Sequence, residues 1–319
     1  MKILILIILM TPFVILSCSK NSTESEPQII PLDGRGGGVI IYCYQGGALH
    51  RIYGINADGT GNKIMIDASI GLNHHDISPN GQRIACVGYI DATFNTWSIH
   101  VFNIDGTGLT RLTNTSNVMD SEPKWSPDGT QLAFTRFYQN FQKEELWLMN
   151  ADGSNQHYIG VDGFAAKWSS DGNSFIYSSK ISGNYEIYTC DTDGSNIQQL
   201  TNTNLDETFP IYSPHGTQIA YNASSGEYNT PGNSSTYEIY TMNSDGTNIS
   251  QITHNNFMDA YPRWSPDGTR LAFESDRHEA NKWEVYIMGI DGSNARRVTN
   301  SPSGITAINA VWWPVSSAL

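Results

Sequence analysis

The chain has 319 residues, of which 39% are hydrophobic and 15% charged, and its formal net charge at pH 7 is −13. A chain with this charge is repelled by nucleic acid and by anionic lipid surfaces. We therefore expect no nucleic-acid partner, and any association with a membrane has to come from an anchor.

Residues 1–17 have the pattern of a secretory signal peptide. Lys2 precedes an apolar stretch from Ile3 to Leu16, which is too short to span a bilayer comfortably. The stretch ends in Leu16-Ser17-Cys18, which resembles the bacterial lipoprotein signal and implies that Cys18 is lipidated after cleavage. The alternative is an ordinary signal peptide with an incidental cysteine. Residues 18–38 are rich in Ser, Asn, Glu, Pro and Gly, and we predict a flexible tether.

The remainder of the chain repeats one unit with two kinds of turn. The first turn is Ser-Pro-Asp-Gly or a near copy, in which Pro suits the second position of a type I turn and Gly suits a left-handed backbone. Its five copies begin at Ser78, Ser126, Ser169, Ser213 and Ser265. The second turn is Asp-Gly, a strong hairpin signal. Its six copies begin at Asp58, Asp105, Asp152, Asp193, Asp245 and Asp291.

One unit predicts four strands joined by hairpins. In the third unit we expect these strands at Glu122–Trp125, Gln131–Thr135, Glu145–Met149 and around His157–Ile159. Six third strands, each followed by an Asp-Gly turn, predict six such four-stranded blades.

The first unit lacks its opening strand, because the repeat begins at a second strand, Val39–Cys43. A matching run, Ile308–Trp312, stands near the carboxyl end. If the two pair, the ring closes without an exposed sheet edge, whereas an open solenoid would need capping repeats. We therefore predict an all-β fold, a six-bladed β-propeller of four antiparallel strands per blade over residues 39–314, followed by a tail at 315–319.

The order Trp-Ser-Pro-Asp-Gly, Leu-Ala-Phe, Glu-Ile-Tyr, Asp-Gly and Leu-Thr resembles the WD-like repeats of the TolB C-terminal β-propeller. The resemblance extends from about residue 39 to residue 314, and similar repeats occur in the propellers of some prolyl peptidases. TolB carries an α/β domain ahead of its propeller, and in this chain we expect only the tether at that place. The resemblance implies a cell-envelope protein. Its implied partner is a peptidoglycan-associated protein or another protein of the envelope.

The cysteines other than Cys18 are Cys43, Cys86 and Cys190, and all three fall in predicted strands. We favour small buried thiols, with a disulfide as the alternative.

Candidate ligand-binding residues are those where the repeat varies while its turns stay constant. Glu122 is replaced in the other units by His74, Ala165, Phe209, Tyr261 and Asn309, and two residues earlier the carboxylates Asp120, Glu207 and Asp259 appear. We predict that these positions and His75 surround one mouth of the channel, and that aromatic residues of the second-to-third-strand loops extend the same face. The loop candidates are Phe94, Phe137, Tyr138, Phe141 and Tyr228. The predicted ligand-binding residues are His74, His75, Asp120, Glu122, Tyr138, Phe141, Glu207, Phe209, Asp259 and Tyr261. The alternative interpretation is that they are solvated loop residues.

Catalytic chemistry is less well supported by the sequence. His74, His75 and nearby acids could bind a metal, but only one repeat contributes imidazole ligands at this level. No Ser or Cys stands in a nucleophile elbow. The run Asp191 to Asn196 resembles the start of a calcium loop but has Asn202 at the twelfth position, so a plain turn is the preferred interpretation.

We expect no cofactor, no metal and a monomeric body. The first hypothesis is an exported, lipid-anchored cell-envelope scaffold that binds a protein, peptide or glycan. A carbohydrate- or peptide-cleaving enzyme with its site at the channel mouth is the alternative, and a purely structural subunit is the third.

Overall fold

The computed structural model describes residues 34, 36–45, 51–67, 71–89, 97–138, 141–224 and 237–313. The predicted signal peptide, Cys18, most of the tether, Phe94, Tyr228 and the tail lie outside the described residues. No helix in this part of the chain is long and apolar enough to cross a bilayer.

The described residues form six antiparallel sheets of four strands each, which are the six predicted blades. Blade 1 contains β1 (Val39–Gln45), β2 (Arg51–Asn56) and β3 (Lys63–Asp67), and blade 2 contains β4 (Gly71–Ile77), β5 (Arg83–Tyr89), β6 (Ser98–Asn103) and β7 (Thr110–Arg111). Blade 3 contains β8 (Val118–Trp125), β9 (Gln131–Tyr138), β10 (Lys143–Asn150) and β11 (His157–Asp162). Blade 4 contains β12 (Phe164–Trp168), β13 (Ser174–Ser179), β14 (Glu186–Asp191) and β15 (Gln198–Gln199). Blade 5 contains β16 (Asp206–Tyr212), β17 (Gln218–Ser224), β18 (Tyr237–Asn243) and β19 (Ser250–Gln251). Blade 6 contains β20 (Asp259–Trp264), β21 (Arg270–Ser275), β22 (Glu284–Gly289) and β23 (Arg296–Arg297), and β24 (Thr306–Trp312) completes blade 1.

The predicted ring closure is confirmed. Strand β24 pairs antiparallel with β1, with Ile40 opposite Trp312 and Cys43 opposite Ile308. Blade 1 therefore takes its innermost strand from the carboxyl end of the chain, and β24 covers the edge of β1 that would otherwise be unpaired.

Hydrogen bonds within the turns explain why the repeat is so regular. In the Ser-Pro-Asp-Gly turn of blade 3, Gly129 has φ 72° and donates its N–H to the Ser126 carbonyl at 2.8 Å. Ser126 Oγ donates to Asp128 Oδ1 at 2.6 Å, and Asp128 Oδ1 also accepts the Thr130 N–H at 3.0 Å. Each residue type of the motif has a specific bonding role, so the turn constrains sequence independently of any ligand.

The Leu-Thr element of the repeat also has a structural role. Four buried threonine hydroxyls accept an N–H from the third strand of their own blade at 2.9 to 3.0 Å. These threonines are Thr113, Thr201, Thr253 and Thr299. The fourth strand is short, and each threonine hydroxyl gives a backbone N–H of the third strand a hydrogen-bond acceptor.

Tryptophans at the ends of innermost strands join neighbouring blades. The indole Nε1 of Trp168 donates to the Lys124 carbonyl of the preceding blade at 3.1 Å, and Trp264 donates to Ile211 in the same way at 3.2 Å. Trp312 donates to the Arg263 carbonyl at 3.1 Å, which joins blade 1 to blade 6. The aromatic residue ahead of the Ser-Pro-Asp-Gly turn is therefore explained by blade packing.

The two faces of the ring differ in their connections. The face that we call the bottom carries the Ser-Pro-Asp-Gly and Asp-Gly turns, and the face that we call the top carries the second-to-third-strand loops and the inter-blade connections. The chain enters β1 at the bottom, where Arg270 Nη2 donates to the Gly37 carbonyl at 2.7 Å and Nη1 donates to the Gly36 carbonyl. Gly37 has φ 94°, a left-handed conformation that favours glycine, and a Cβ there would also displace the Arg270 guanidinium. The end of the predicted tether is thus bound to blade 6 at the bottom face.

Candidate functional site

Each innermost strand contains one β-bulge, at the same position in all six blades. In blade 3, Ser121 lies opposite Thr135 and Lys124 opposite Ala133, so the innermost strand has one residue more than its partner. The first bulge residue has a left-handed backbone, with φ between 41° and 58°. These six residues, which we call the mouth ring, are His74, Glu122, Ala165, Phe209, Tyr261 and Asn309.

The mouth ring is the set of variable positions that the comparison of the repeats within this chain identified. Left-handed φ is unfavourable for residues other than Gly and Asn by about 1–2 kcal/mol each, yet five of the six are neither. Bulges redirect side chains and are frequent beside functional sites. Strain retained at five of six equivalent, chemically diverse positions is therefore the main structural indication of a site here.

Contacts between neighbouring blades hold the strained backbone in place. The Ala165 N–H donates to Thr135 Oγ1 at 3.2 Å, and the Asn309 N–H donates to Glu274 Oε1 at 2.6 Å. In each pair the acceptor comes from the second strand of the preceding blade. At these two positions the backbone of the ring is thus fixed by the preceding blade.

One side of the mouth ring is polar. His74 Nδ1 lies 2.9 Å from Ser121 Oγ, and His74 Nε2 lies 3.4 Å from Glu122 Oε1. Burial lowers the pKa of His74, which keeps the imidazole neutral at neutral pH. Burial opposes ionisation of Glu122, but Lys167, Lys124 and, at low pH, protonated His74 outweigh it and lower the pKa of Glu122 to about 2. Glu122 is therefore ionised.

The opposite side of the ring is aromatic. The Phe209 and Tyr261 rings pack edge to face with centroids 4.5 Å apart, and Phe164 packs against Phe209 at 5.3 Å. Tyr185 and Trp283 extend this packing at either end, at 4.9 Å from Phe164 and 6.4 Å from Tyr261. Phe209 is buried and Tyr261 half-buried, so Tyr261 is the member of the pair with more surface to offer.

A second aromatic row runs outward from His74 on the top face. The ring centroid of Trp97 lies 6.2 Å from that of His74. The ring centroid of Phe141 lies 6.1 Å from that of Trp97 and 5.0 Å from that of Phe137. Phe141 is 44% exposed, whereas Phe137 is buried, which corrects the expectation that Phe137 is an exposed loop residue. Residues 136–138 belong to β9 and not to the loop. Tyr138 is half-buried at the end of β9, as a neighbour of Lys143.

Three carboxylates that were predicted to surround the channel mouth are instead buried in their blades. Asp120 is 0% exposed and accepts hydrogen bonds from Arg136 Nε at 2.7 Å and Nη2 at 3.0 Å. Asp259 is equally buried and pairs with Arg277 Nη2 at 2.6 Å. Glu207 is buried too, and its burial beside another glutamate raises its pKa to about 8.

His75 is buried and does not belong to the exposed mouth. Its Nδ1 lies 3.2 Å from Cys43 Sγ, across the boundary of blades 1 and 2. Burial lowers the pKa of His75 to about 3 and raises that of the Cys43 thiol well above its usual range. Cys43, Cys86 and Cys190 are all free and buried, as predicted.

Sequence reasoning missed a set of charged residues deeper in the channel. Two residues after the mouth ring stand Asp76, Lys124, Lys167 and Arg263. Lys124 Nζ lies 3.3 Å from Asp76 Oδ1, and Lys167 Nζ lies 3.9 Å from Glu122 Oε2. The sequence did contain a signal for this set. Lys124, Lys167 and Arg263 occupy the same repeat position near the end of an innermost strand, where an apolar residue is more usual.

The turn that resembled a calcium loop is stabilised by its own side chains. Asp193 Oδ1 accepts the Ser195 N–H at 2.9 Å and the Ser195 hydroxyl at 2.5 Å, and Asn196 Nδ2 donates to Asp191 Oδ2 at 2.6 Å. Throughout the described ranges, no three His, Cys, Asp or Glu side chains are grouped closely enough to hold a metal ion.

The fold and site together define a closed six-bladed β-propeller with a mixed aromatic and charged mouth. PD40, the TolB beta propeller domain family, matches residues 60–231. The chain therefore belongs to the TolB β-propeller family, as the repeat predicted.

The match between this chain and its known relatives covers only part of each relative. A TolB homolog of Chlorobium chlorochromatii is 30% identical over 151 residues, covering 37% of this chain and 34% of the relative. The uncharacterized protein Atu1656 of Agrobacterium fabrum is 26% identical over 165 residues, covering 51% and 53%. The chain thus spans between about a third and about half of the length of these curated relatives. The crystal structure of TolB from Acinetobacter baumannii superposes with a TM-score of 0.70 at 19% identity, covering 87% of this chain and 67% of that one, which supports the fold.

Proposed function

We propose that this protein is a lipid-anchored scaffold of the cell envelope that binds a protein or peptide partner through its top face. The observation that carries the proposal is the mouth ring, six equivalent left-handed positions, five of them strained, whose side chains differ in chemistry while the surrounding repeat stays constant. Membership in the TolB β-propeller family supports an envelope role. Some relatives are described as Tol-Pal system protein TolB, which favours a protein partner.

The path of the chain supports an arrangement in which the binding face points away from the membrane. Arg270 binds the carbonyls of Gly36 and Gly37 at the bottom face, opposite the mouth ring. With Cys18 lipidated, the tether would leave from the bottom, and the aromatic row at Phe141 would be presented to partners.

Affinity purification with matched variants tests the proposal. The wild-type protein without residues 1–18 is used to purify partners from an envelope extract of the host. A variant with Phe141→Ser and Tyr261→Ala removes aromatic surface from the top, and Leu109→Ser removes an apolar side chain of the same 44% exposure from the bottom. We expect the top variant to lose a specific partner that the Leu109→Ser variant retains. Equal retention by both variants would overturn the proposal.

A further inference from the structure

Three basic side chains meet in the channel beneath the mouth ring. Lys124, Lys167 and Arg263 occupy the same repeat position in blades 3, 4 and 6, and each acts electrostatically on His74. The equivalent position is acidic in blade 2 only, where it is Asp76. This concentration of positive charge lies inside a chain whose formal net charge is −13.

The protein provides Lys167 with few acceptors for its charge. Lys167 is 5% exposed, and an ammonium group has three protons to donate. Its Nζ lies 3.5 Å from the Ala165 carbonyl and 3.9 Å from Glu122 Oε2, both at the limit of a useful contact. Burial, together with the neighbouring cations Lys124 and Arg263, lowers the pKa of Lys167 well below its usual range, and an anion placed against Nζ would favour the protonated form.

Its two cationic neighbours have donor capacity as well. Arg263 Nη1 donates to the Pro262 carbonyl at 2.9 Å, and no carboxylate among the described side chains lies within ion-pair distance of its guanidinium. Lys124 is shared between Asp76 at 3.3 Å and the His75 carbonyl at 3.4 Å.

Nearby acids offset the positive charge only in part, since Glu122 and Asp76 face three basic side chains. Burial raises the pKa of Glu274 to about 8, so this carboxyl is mostly protonated at neutral pH. Asp76 is already occupied, since Oδ2 accepts the Trp125 N–H at 2.9 Å while Oδ1 faces Lys124.

We propose that Lys167, Lys124 and Arg263 form a binding site for a peptide carboxylate that enters through the mouth ring. A carboxylate fits the planar fork of Arg263 and gives Lys167 the acceptor it lacks. The ionised Glu122 on the same wall repels any anion, and it repels a doubly charged phosphate more strongly than a singly charged carboxylate. A sugar acid would stack on an open ring face, which the buried Phe209 does not provide, whereas the edges of Phe209 and Tyr261 suit an apolar peptide side chain.

This assignment rests on the proposed function and specifies the chemistry of the partner. The probes are random-sequence hexapeptide pools, acetylated at the amino end, with a free carboxyl terminus or with a carboxamide. The pools exclude Asp and Glu, and a third, amidated pool contains one Glu per peptide. Peptides retained by the immobilised protein are quantified by mass spectrometry.

The wild-type protein should retain the free-acid pool at least about tenfold more than the acid-free amidated pool, a difference of about 1.4 kcal/mol. Retention of the Glu-containing amidated pool would assign the site to acidic side chains, and its exclusion would assign it to chain termini. Lys167→Met and, separately, Arg263→Met should reduce retention of the preferred acidic pool to the level of the acid-free amide. Lys282→Met makes the same charge change on the top face outside the channel and should have no effect.

Equal retention of the acid-free amide and both acidic pools by the wild-type protein would overturn the carboxylate site. So would undiminished binding by Arg263→Met, whose side chain forms no internal ion pair and whose loss the fold should tolerate. Thermal melts establish that each variant is folded. A partner captured through Phe141 and Tyr261, together with indifference to the carboxylate, would leave the proposed function standing and refute this site alone.

Discussion

Replacing Glu274 with Gln should make the stability of the propeller less dependent on pH. Glu274 is buried in β21, and its Oε1 accepts the Asn309 N–H at 2.6 Å. The equivalent residues in blades 3 and 5 are the neutral Thr135 and Asn222, which accept the N–H groups of Ala165 and Tyr261. A neutral acceptor is therefore sufficient at this position, and Gln retains the oxygen.

The size and direction of the effect follow from the carboxyl pKa. Burial raises the pKa of Glu274 from 4.5 to about 8, so the folded state binds the proton more tightly than the unfolded state does. Stability from this group is complete below pH 4.5 and is lost as the pH rises through 8. At about 1.4 kcal/mol per unit, the wild type should lose about 4 kcal/mol between pH 5 and pH 9 through Glu274 alone.

Urea unfolding followed by the fluorescence of the eight tryptophans measures this difference. The wild type and Glu274→Gln should have unfolding free energies within about 1 kcal/mol of each other at pH 5, and the variant should be about 4 kcal/mol more stable at pH 9. Glu207 is present in both proteins, so its own raised pKa cancels in the comparison. Parallel pH profiles for the two proteins would refute the conclusion that Glu274 is buried and neutral.

Other substitutions and a chemical probe test the remaining structural explanations. Thr299→Val removes the hydroxyl that accepts the Val285 N–H at 2.9 Å, and urea unfolding should show a loss of about 1–3 kcal/mol, whereas a neutral result would show that the Leu-Thr element has another role. Arg270→Ala removes the donor to the Gly36 and Gly37 carbonyls, so limited proteolysis should cleave the residues before β1 faster than in the wild type, and an unchanged rate would count against the contact. The three described cysteines should not react with Ellman's reagent until the protein is unfolded, because burial raises the pKa of each thiol; rapid labelling of the native protein would contradict that burial.

The fold could be predicted because its determinants are local and repeated. The Ser126 hydroxyl, the Asp128 carboxylate and the left-handed Gly129 interact within a few residues, so the same letters predict the same hairpin wherever they recur. Ring closure could be predicted from the number of strands in each unit. The first unit lacked an innermost strand beside Val39–Cys43, and Ile308–Trp312 could supply it.

The site could be predicted less well, because its geometry arises between blades. The alignment found the variable mouth ring, but the left-handed backbone at Glu122 depends on pairing with β9. Asp120 and Asp259 were expected at the channel mouth, and only the positions of Arg136 and Arg277 reveal that their carboxylates are paired inside a blade. The convergence of the channel cations likewise requires three blades to be placed around one axis.

Site-specific photo-cross-linking tests the central claim, partner binding through the top face, most directly. A photoreactive phenylalanine analogue replaces Phe141 on the top face or Leu109 on the bottom face, two side chains that are each 44% exposed. In intact cells, we predict that illumination joins a defined partner protein to the Phe141 position and not to the Leu109 position. Cross-linking of the same partner at both positions, or at Leu109 alone, would contradict the account.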